Sequence, residues 1–275
     1  FSVVICLKFI NFFVFNQIHL NIFKIFNLKI TPIENFDLTY KGYIGNFFGF
    51  GKSGTGYKAI FLKNKYNFSY IKFFSFYVFL QTVTLFTTAL LCFLILIFSS
   101  QNIATMNKYL VFILLFIMFL AISSNLIYRL FLKLKFLNNL SFFKKIINTY
   151  EEVSLISTKY SIKNRNFQLI VLYQIFIQIS LFIQILMLGE SLNINISTLS
   201  NFVYNVFTQI STFISITPNS IGIKELILIL SDEFIGLSNF EILNLALLDR
   251  MSDFISLAVF SSVFYFYRSI IKNRN

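Results

Sequence analysis

Continuous apolar stretches dominate the chain. Runs of about 20 residues lie at 1–18, 73–98, 109–132, 167–188, 200–217 and 242–267, each long enough to cross a hydrocarbon core as an α-helix. Two shorter pieces, 42–62 and 219–235, are interrupted by Gly, Pro or Lys. Apolar positions run on without the period-two alternation of membrane strands. The pattern predicts an all-α, polytopic integral membrane helical bundle forming a single domain over residues 1–275.

Charges sit mainly in the gaps and orient the runs. Residues 129–165 contain Arg129, Lys133, Lys135, Lys144, Lys145, Lys159, Lys163 and Arg165 against Glu151 and Glu152. The positive-inside rule puts this loop, and the tail with Arg268, Lys272 and Arg274, in the cytoplasm. Residues 189–199 and 231–241 carry acidic groups and no Lys or Arg, so both read as outside. The segment 200–235 must then enter and return on one side, turning at Thr217-Pro218-Asn219-Ser220-Ile221-Gly222. Lysines flank 42–62 on both sides: Lys24, Lys29 and Lys41 before it, Lys63, Lys65 and Lys72 after it. That piece reads as a hairpin from the cytoplasm, turning over Gly49–Gly56. Two opposed re-entrant hairpins follow as the expectation.

The two pieces also resemble each other. Gly56-Tyr57-Lys58 precedes a helical stretch and Ser69; Gly222-Ile223-Lys224 precedes another and Ser238. Matched, interrupted segments of this kind are the sequence pointer to a midplane site in inverted-repeat transport folds.

Composition agrees with a bilayer environment. Hydrophobic residues make up 57% and charged residues 12%, about half the charged share of a soluble chain. A net charge of +12 would point to nucleic acid in a soluble protein; here the basic residues mark topology, and no nucleic-acid partner is expected. Cys6 and Cys92 lie far apart within apolar runs, and His19 is the lone histidine, so neither a disulfide framework nor a metal centre is indicated. No cofactor is expected. The chain begins at Phe1 within an apolar stretch, which reads as a truncated N-terminus with one or more spans missing.

Few residues are available for chemistry. Lys224 and Glu225 open a short apolar helix after the Pro218–Gly222 turn. Arg250 lies in the last run, flanked by Asp249 and by Asp253, with which it shares a helix face by spacing. Counted from Glu241, Arg250 would sit about 13 Å deep. An unpaired charge at mid-bilayer costs on the order of 3 kcal/mol, so Glu225 is expected to face Arg250 or Lys224 across a polar cleft; the other reading places all of them, solvated, at the outer interface. Helix N-termini suit anions, so the two Gly-x-Lys turns, Gly56 to Lys58 and Gly222 to Lys224, would hold a lipid phosphate. Lys58 equally fits a side chain reaching the cytoplasmic interface, the glycines serving only tight turns.

Soluble-enzyme motifs fail on context. Gly49-Phe50-Gly51-Lys52-Ser53-Gly54 fits GxGxxG but follows no βαβ strand, and Asn46 stands where a Walker A glycine is required. Gly45 and Gly49 form a GxxxG pair suited to close helix packing. Residues 134–165 read either as a cytoplasmic basic amphipathic loop on anionic lipid or as an ordinary inter-span loop. No Ser/His/Asp set, acid-base carboxylate pair or catalytic domain is visible.

The segment Ile216–Glu225, with Gly236-Leu237-Ser238 and Ala246-Leu247-Leu248-Asp249-Arg250, resembles the flippase-like membrane family that includes the lysylphosphatidylglycerol synthase transmembrane region. Pro218, Gly222, Glu225 and Arg250 fit its second motif, with Lys224 in place of Arg. In the first motif Gly54 and Lys58 fit, Thr55 replaces Glu and the Pro is absent. The resemblance is specific over about forty residues at the second motif. It implies an inner-membrane, multi-pass protein with a cytoplasmic C-terminus that binds or translocates a phospholipid or polyprenyl-linked lipid. In that reading Lys58, Lys224 and Arg250 contact phosphate, and Glu225, Asp253, Gly54, Gly56, Pro218 and Gly222 support them. No aminoacyl-transfer domain is seen, so a non-enzyme is expected. The alternative is a non-transporting accessory protein of a surface-polysaccharide or lipid-modification pathway, partnered by a glycosyltransferase or aminoacyltransferase and binding a phospholipid or lipid-linked glycan.

Overall fold

The computed structural model describes residues 1–98, 111–116, 164–214 and 216–272. The described residues are helical, with no strand among them. Helix α1 is Ser2–Ile25, α2 Pro32–Phe48, α3 Ser53–Tyr66 and α4 Tyr70–Phe98. Helix α5 is Arg165–Ser191, α6 Thr198–Phe213, α7 Ile223–Ile229, α8 Asp232–Ile235 and α9 Asn239–Lys272. The span expected at 109–132 is described only over 111–116, which are helical. The loop expected at 134–165 lies outside the described residues except for its last two positions.

Helices α1, α4 and α5 are long and apolar enough to cross a membrane. The 34 residues of α9 reach about 51 Å, ample for a crossing, but α9 carries Asp249, Arg250 and Asp253 within it. Helix α6 has 16 residues and is about 24 Å long, short of a hydrocarbon core of about 30 Å.

The first interrupted piece is a helical hairpin, α2–α3, and it is longer than the sequence pattern indicates. Helix α2 begins at Pro32 rather than near Gly42, because Thr31 caps it: the Glu34 N–H donates to the Thr31 hydroxyl, and Pro32 occupies the first turn. Lys41 therefore lies inside α2, paired with Asp37 one turn earlier at 2.7 Å. The two arms touch backbone to backbone. A Cβ on Gly45 would lie 2.6 Å from the Gly54 Cα, and one on Gly54 would lie 1.9 Å from the Gly42 carbonyl oxygen. Only glycine permits that approach. Asn46 then clips the arms together, its Oδ1 accepting from the Thr55 N–H at 3.0 Å. Gly56 faces open space and plays no part in the packing.

The second piece is also a hairpin. Helix α6 ends at Phe213, a 3-10 turn follows over Pro218–Ser220, and α7 leads back. Gly222 is the N-cap of α7 with φ +81°, a conformation that side-chain-bearing residues rarely adopt. The two hairpin tips meet: the Gly51 N–H donates to the Ile216 carbonyl at 2.9 Å.

Two large apolar clusters hold the helices together. One joins Ile18, Ile22 and Phe23 of α1 to Leu62, Phe76 and Ile170. The other joins Ala89 and Cys92 of α4 to Tyr204, Val206, Leu228 and Leu245. Each hairpin thus packs into its own core.

Candidate functional site

The polar centre of the bundle is assembled by α7 and α9, with a third helix the sequence reading did not include. Lys224 and Glu225 stand in the first turn of α7, held there by the Gly222 cap, whose N–H donates to Glu225 Oε2 at 2.8 Å. Asp249 and Arg250 stand side by side on α9. The two dipeptides are complementary, Lys-Glu against Asp-Arg. Lys224 Nζ lies 2.7 Å from Asp249 Oδ2, and Arg250 Nη2 lies 2.6 Å from Glu225 Oε1. Of the two partners open to Glu225, the structure brings Arg250 to it.

Lys8 of α1 completes the cluster. Its ammonium is 2.7 Å from Asp249 Oδ1 and also pairs with Asp253. Asp249 therefore bridges two lysines. Asp253 lies one turn from Asp249 and shares its face, so it turns toward Lys8; the sequence expectation had grouped it with Arg250. Lys8 is the single charged residue in the run 1–18. That isolation was the available signal, since a lone charge in a membrane span needs a partner.

The cluster holds three cations against three carboxylates, none of them more than about a quarter exposed at the side chain. Burial on this scale is tolerable because every charge has an opposite neighbour; one left unpaired would cost several kcal/mol. The network also fixes the turn. Arg250 Nη2 donates to the Ser220 carbonyl at 3.3 Å, tying α9 to the Pro218 bend. The Lys224 ammonium lies 6.0 Å from the centre of the Tyr204 ring, whose buried hydroxyl has no hydrogen-bond partner among the described residues.

Lys58 stands apart. Its aliphatic stem fills the gap above Gly42, where a Cβ would come within 2.1 Å of Lys58 Cε. The ammonium lies 6.0 Å from the Phe15 ring centre. Among the described residues it makes no hydrogen bond or ion pair, so the structure does not join it to Lys224 and Arg250. Gly54, predicted beside it, serves the hairpin crossing, and Pro218 and Gly222 shape the second turn. Among the described residues, no group of three His, Cys, Asp or Glu side chains could hold a metal ion.

The family model described as the Lysylphosphatidylglycerol synthase TM region matches residues 3–261. The chain matches no curated protein and no solved structure.

Proposed function

Because the chain belongs to the family of the lysylphosphatidylglycerol synthase transmembrane region, a multi-pass membrane family of lipid modification or transport, we propose that it binds a phosphate-bearing lipid and moves its headgroup between leaflets. The path runs where the two hairpin tips meet. The observation that carries this reading is that contact, Gly51 to Ile216, next to a charge cluster that belongs to the second hairpin and its two neighbouring helices. In this reading the hairpins enter from opposite faces of the cytoplasmic membrane, and the C-terminus is cytoplasmic.

The mechanism is exchange of ion pairs. Lys58 has no carboxylate among the described residues and offers the first attraction to a phosphate. Lys224 and Arg250 then trade Asp249 and Glu225 for the phosphate as the headgroup passes, and take them back afterwards. The carboxylates keep the cations compensated when no lipid is present, so the site never holds a bare buried charge. Parting the tips breaks a backbone hydrogen bond worth about 1 kcal/mol, a small barrier for alternating exposure to the two leaflets. No transfer chemistry is assigned to the chain.

A flip assay in liposomes tests this. The Lys224→Ala plus Arg250→Ala double variant should lose most of its lipid movement while remaining in the membrane; undiminished flipping refutes the role given to these residues. The complete pairing of the cluster favours one other reading, in which it only fastens α1, α7 and α9 and the chain is a lipid-binding accessory of a glycosyltransferase or aminoacyltransferase. Wild-type protein that binds lipid, co-purifies with such an enzyme and never flips would establish that reading instead.

A further inference from the structure

A second site lies outside the charge cluster. Between α1, the α2–α3 hairpin and the C-terminal half of α9 is a cavity of about 1030 Å³, walled by Phe9, Phe13, Phe36, Phe61, Phe260 and Phe264. It shares no lining residue with the Lys8–Asp249 cluster. Its size is at the top of the range for small-molecule sites. Three of its lining residues, Phe13, Ile33 and Val263, are at the same time exposed on the outside of the bundle, at 43%, 65% and 50%. The opening is therefore rimmed by apolar side chains of the lipid-facing surface, so an occupant enters from the bilayer.

The charged groups are confined to one end. Glu34 and Asp37 lie in the first two turns of α2 and Lys65 in the last turn of α3. In an antiparallel hairpin these are neighbours, at the end opposite the tip. An apolar chamber with a single charged lip has the shape of an amphiphile. Moving acyl chains from a bilayer into such a chamber is close to neutral, because lipid tails are as apolar as the walls. Discrimination must therefore come from the lip. There two carboxylates, Glu34 and Asp37, meet two lysines, Lys65 and Lys41. Glu34 accepts from Lys65 and from the Tyr66 hydroxyl. Asp37 Oδ2 pairs with Lys41 at 2.7 Å, while its Oδ1 accepts no hydrogen bond among the described residues. The oxygen left open at this lip, Asp37 Oδ1, draws an ammonium and leaves the largely exposed Lys65 beside the neighbouring phosphate; a headgroup with negative charge alone would meet that carboxylate oxygen without a cation to offer it.

We propose that this cavity holds the acyl chains of a phospholipid whose headgroup bears a primary ammonium next to its phosphate, selected at the lip by Glu34, Asp37 and Lys65. The proposal rests on the reading of the chain as a lipid-handling protein and specifies the headgroup.

Photocrosslinking in vesicles tests it. The full chain is reconstituted in phosphatidylcholine, whose quaternary head donates no hydrogen bond, with a trace of diazirine-chain phosphatidylethanolamine or diazirine-chain phosphatidylglycerol. Phosphatidylethanolamine should label the peptides holding Phe13, Phe36 and Phe260 about three- to fivefold more than phosphatidylglycerol, the effect of one partly exposed charge pair. Glu34→Gln with Asp37→Asn should bring the two probes to parity, and Val263→Trp should lower both. Competition on the wild-type chain guards against a misfolded variant: unlabelled phosphatidylethanolamine should displace the probe better than unlabelled phosphatidylglycerol. Equal labelling and equal competition by the two lipids overturn the headgroup assignment, and labelling confined to other surfaces overturns the site. Labelling does not require transport. Failed labelling with intact flipping sinks this inference alone, and labelling as expected with no flipping sinks the translocation reading alone.

Discussion

In the first hairpin, α2 and α3 meet at Gly45 and Gly54 with nothing between their backbones, and the cation they carry, Lys58, has no carboxylate among the described residues. In the second hairpin the arms are a helix and a short broken one, and the cation they carry, Lys224, is locked to Asp249 beside the Glu225–Arg250 pair. The layouts match while the means of stabilisation differ. One hairpin is set at its crossing by shape, through van der Waals contact between small residues, with the Asn46–Thr55 and Glu34–Lys65 contacts fastening its arms on either side. The other is set by charge, through pairs that reach α1 and α9. A hairpin set by shape stays rigid and can leave a cation unmatched. A hairpin set by charge can be released by any anion that competes for its cations.

Breaking the charge side should have the largest effect. Asp249→Asn leaves Lys8 and Lys224 without their shared carboxylate, and should lower stability in detergent by about 3–5 kcal/mol, the cost of orphaning a buried charge. Exchanging the partners, Glu225→Arg with Arg250→Glu, should restore most of the stability lost in either single variant. Thermal unfolding followed by helical circular dichroism reads both.

Breaking the shape side comes next. Gly54→Leu places a side chain where a Cβ would already lie 1.9 Å from the Gly42 carbonyl, and should cost about 3 kcal/mol. Gly56→Ala, two residues on and facing open space, should instead gain up to about 1 kcal/mol from helix propensity. The same melting experiment compares them; an equal loss from both would remove the glycine crossing from the account.

The smallest effect on stability is expected at Lys58. Lys58→Met removes a cation with no carboxylate among the described residues, so stability should stay within about 0.5 kcal/mol or rise, while lipid binding weakens. A loss comparable to that of Asp249→Asn would mean that the two hairpins are stabilised alike.

Much of this contrast is legible in the sequence, and the residues that escape it do so for physical reasons. The long helices follow from apolar runs of membrane length, and both turns follow from glycine and Pro218, because these act locally. Glu225 facing a basic residue of α9 follows from the cost of charge in hydrocarbon. The start of α2 is lost to hydropathy because Pro32–Lys41 is polar, although Thr31, Pro32 and Glu34 together mark a helix N-terminus. Lys8 escapes because its partners lie more than 240 positions away and no local rule links them. The contact between the tips escapes for the same reason: it joins backbone atoms of two turns, and backbone groups leave no trace in residue type.

The most direct test of the central claim, that the two turns meet on the lipid's path, is a disulfide between them. With Cys6 and Cys92 replaced by Ala, Gly51→Cys and Ile216→Cys place one thiol on each of two turns whose backbones are joined by a 2.9 Å hydrogen bond. The account predicts near-complete intramolecular crosslinking on mild oxidation, loss of lipid flipping, and its return on reduction. Absence of crosslinking, or undiminished flipping by the crosslinked protein, would contradict it.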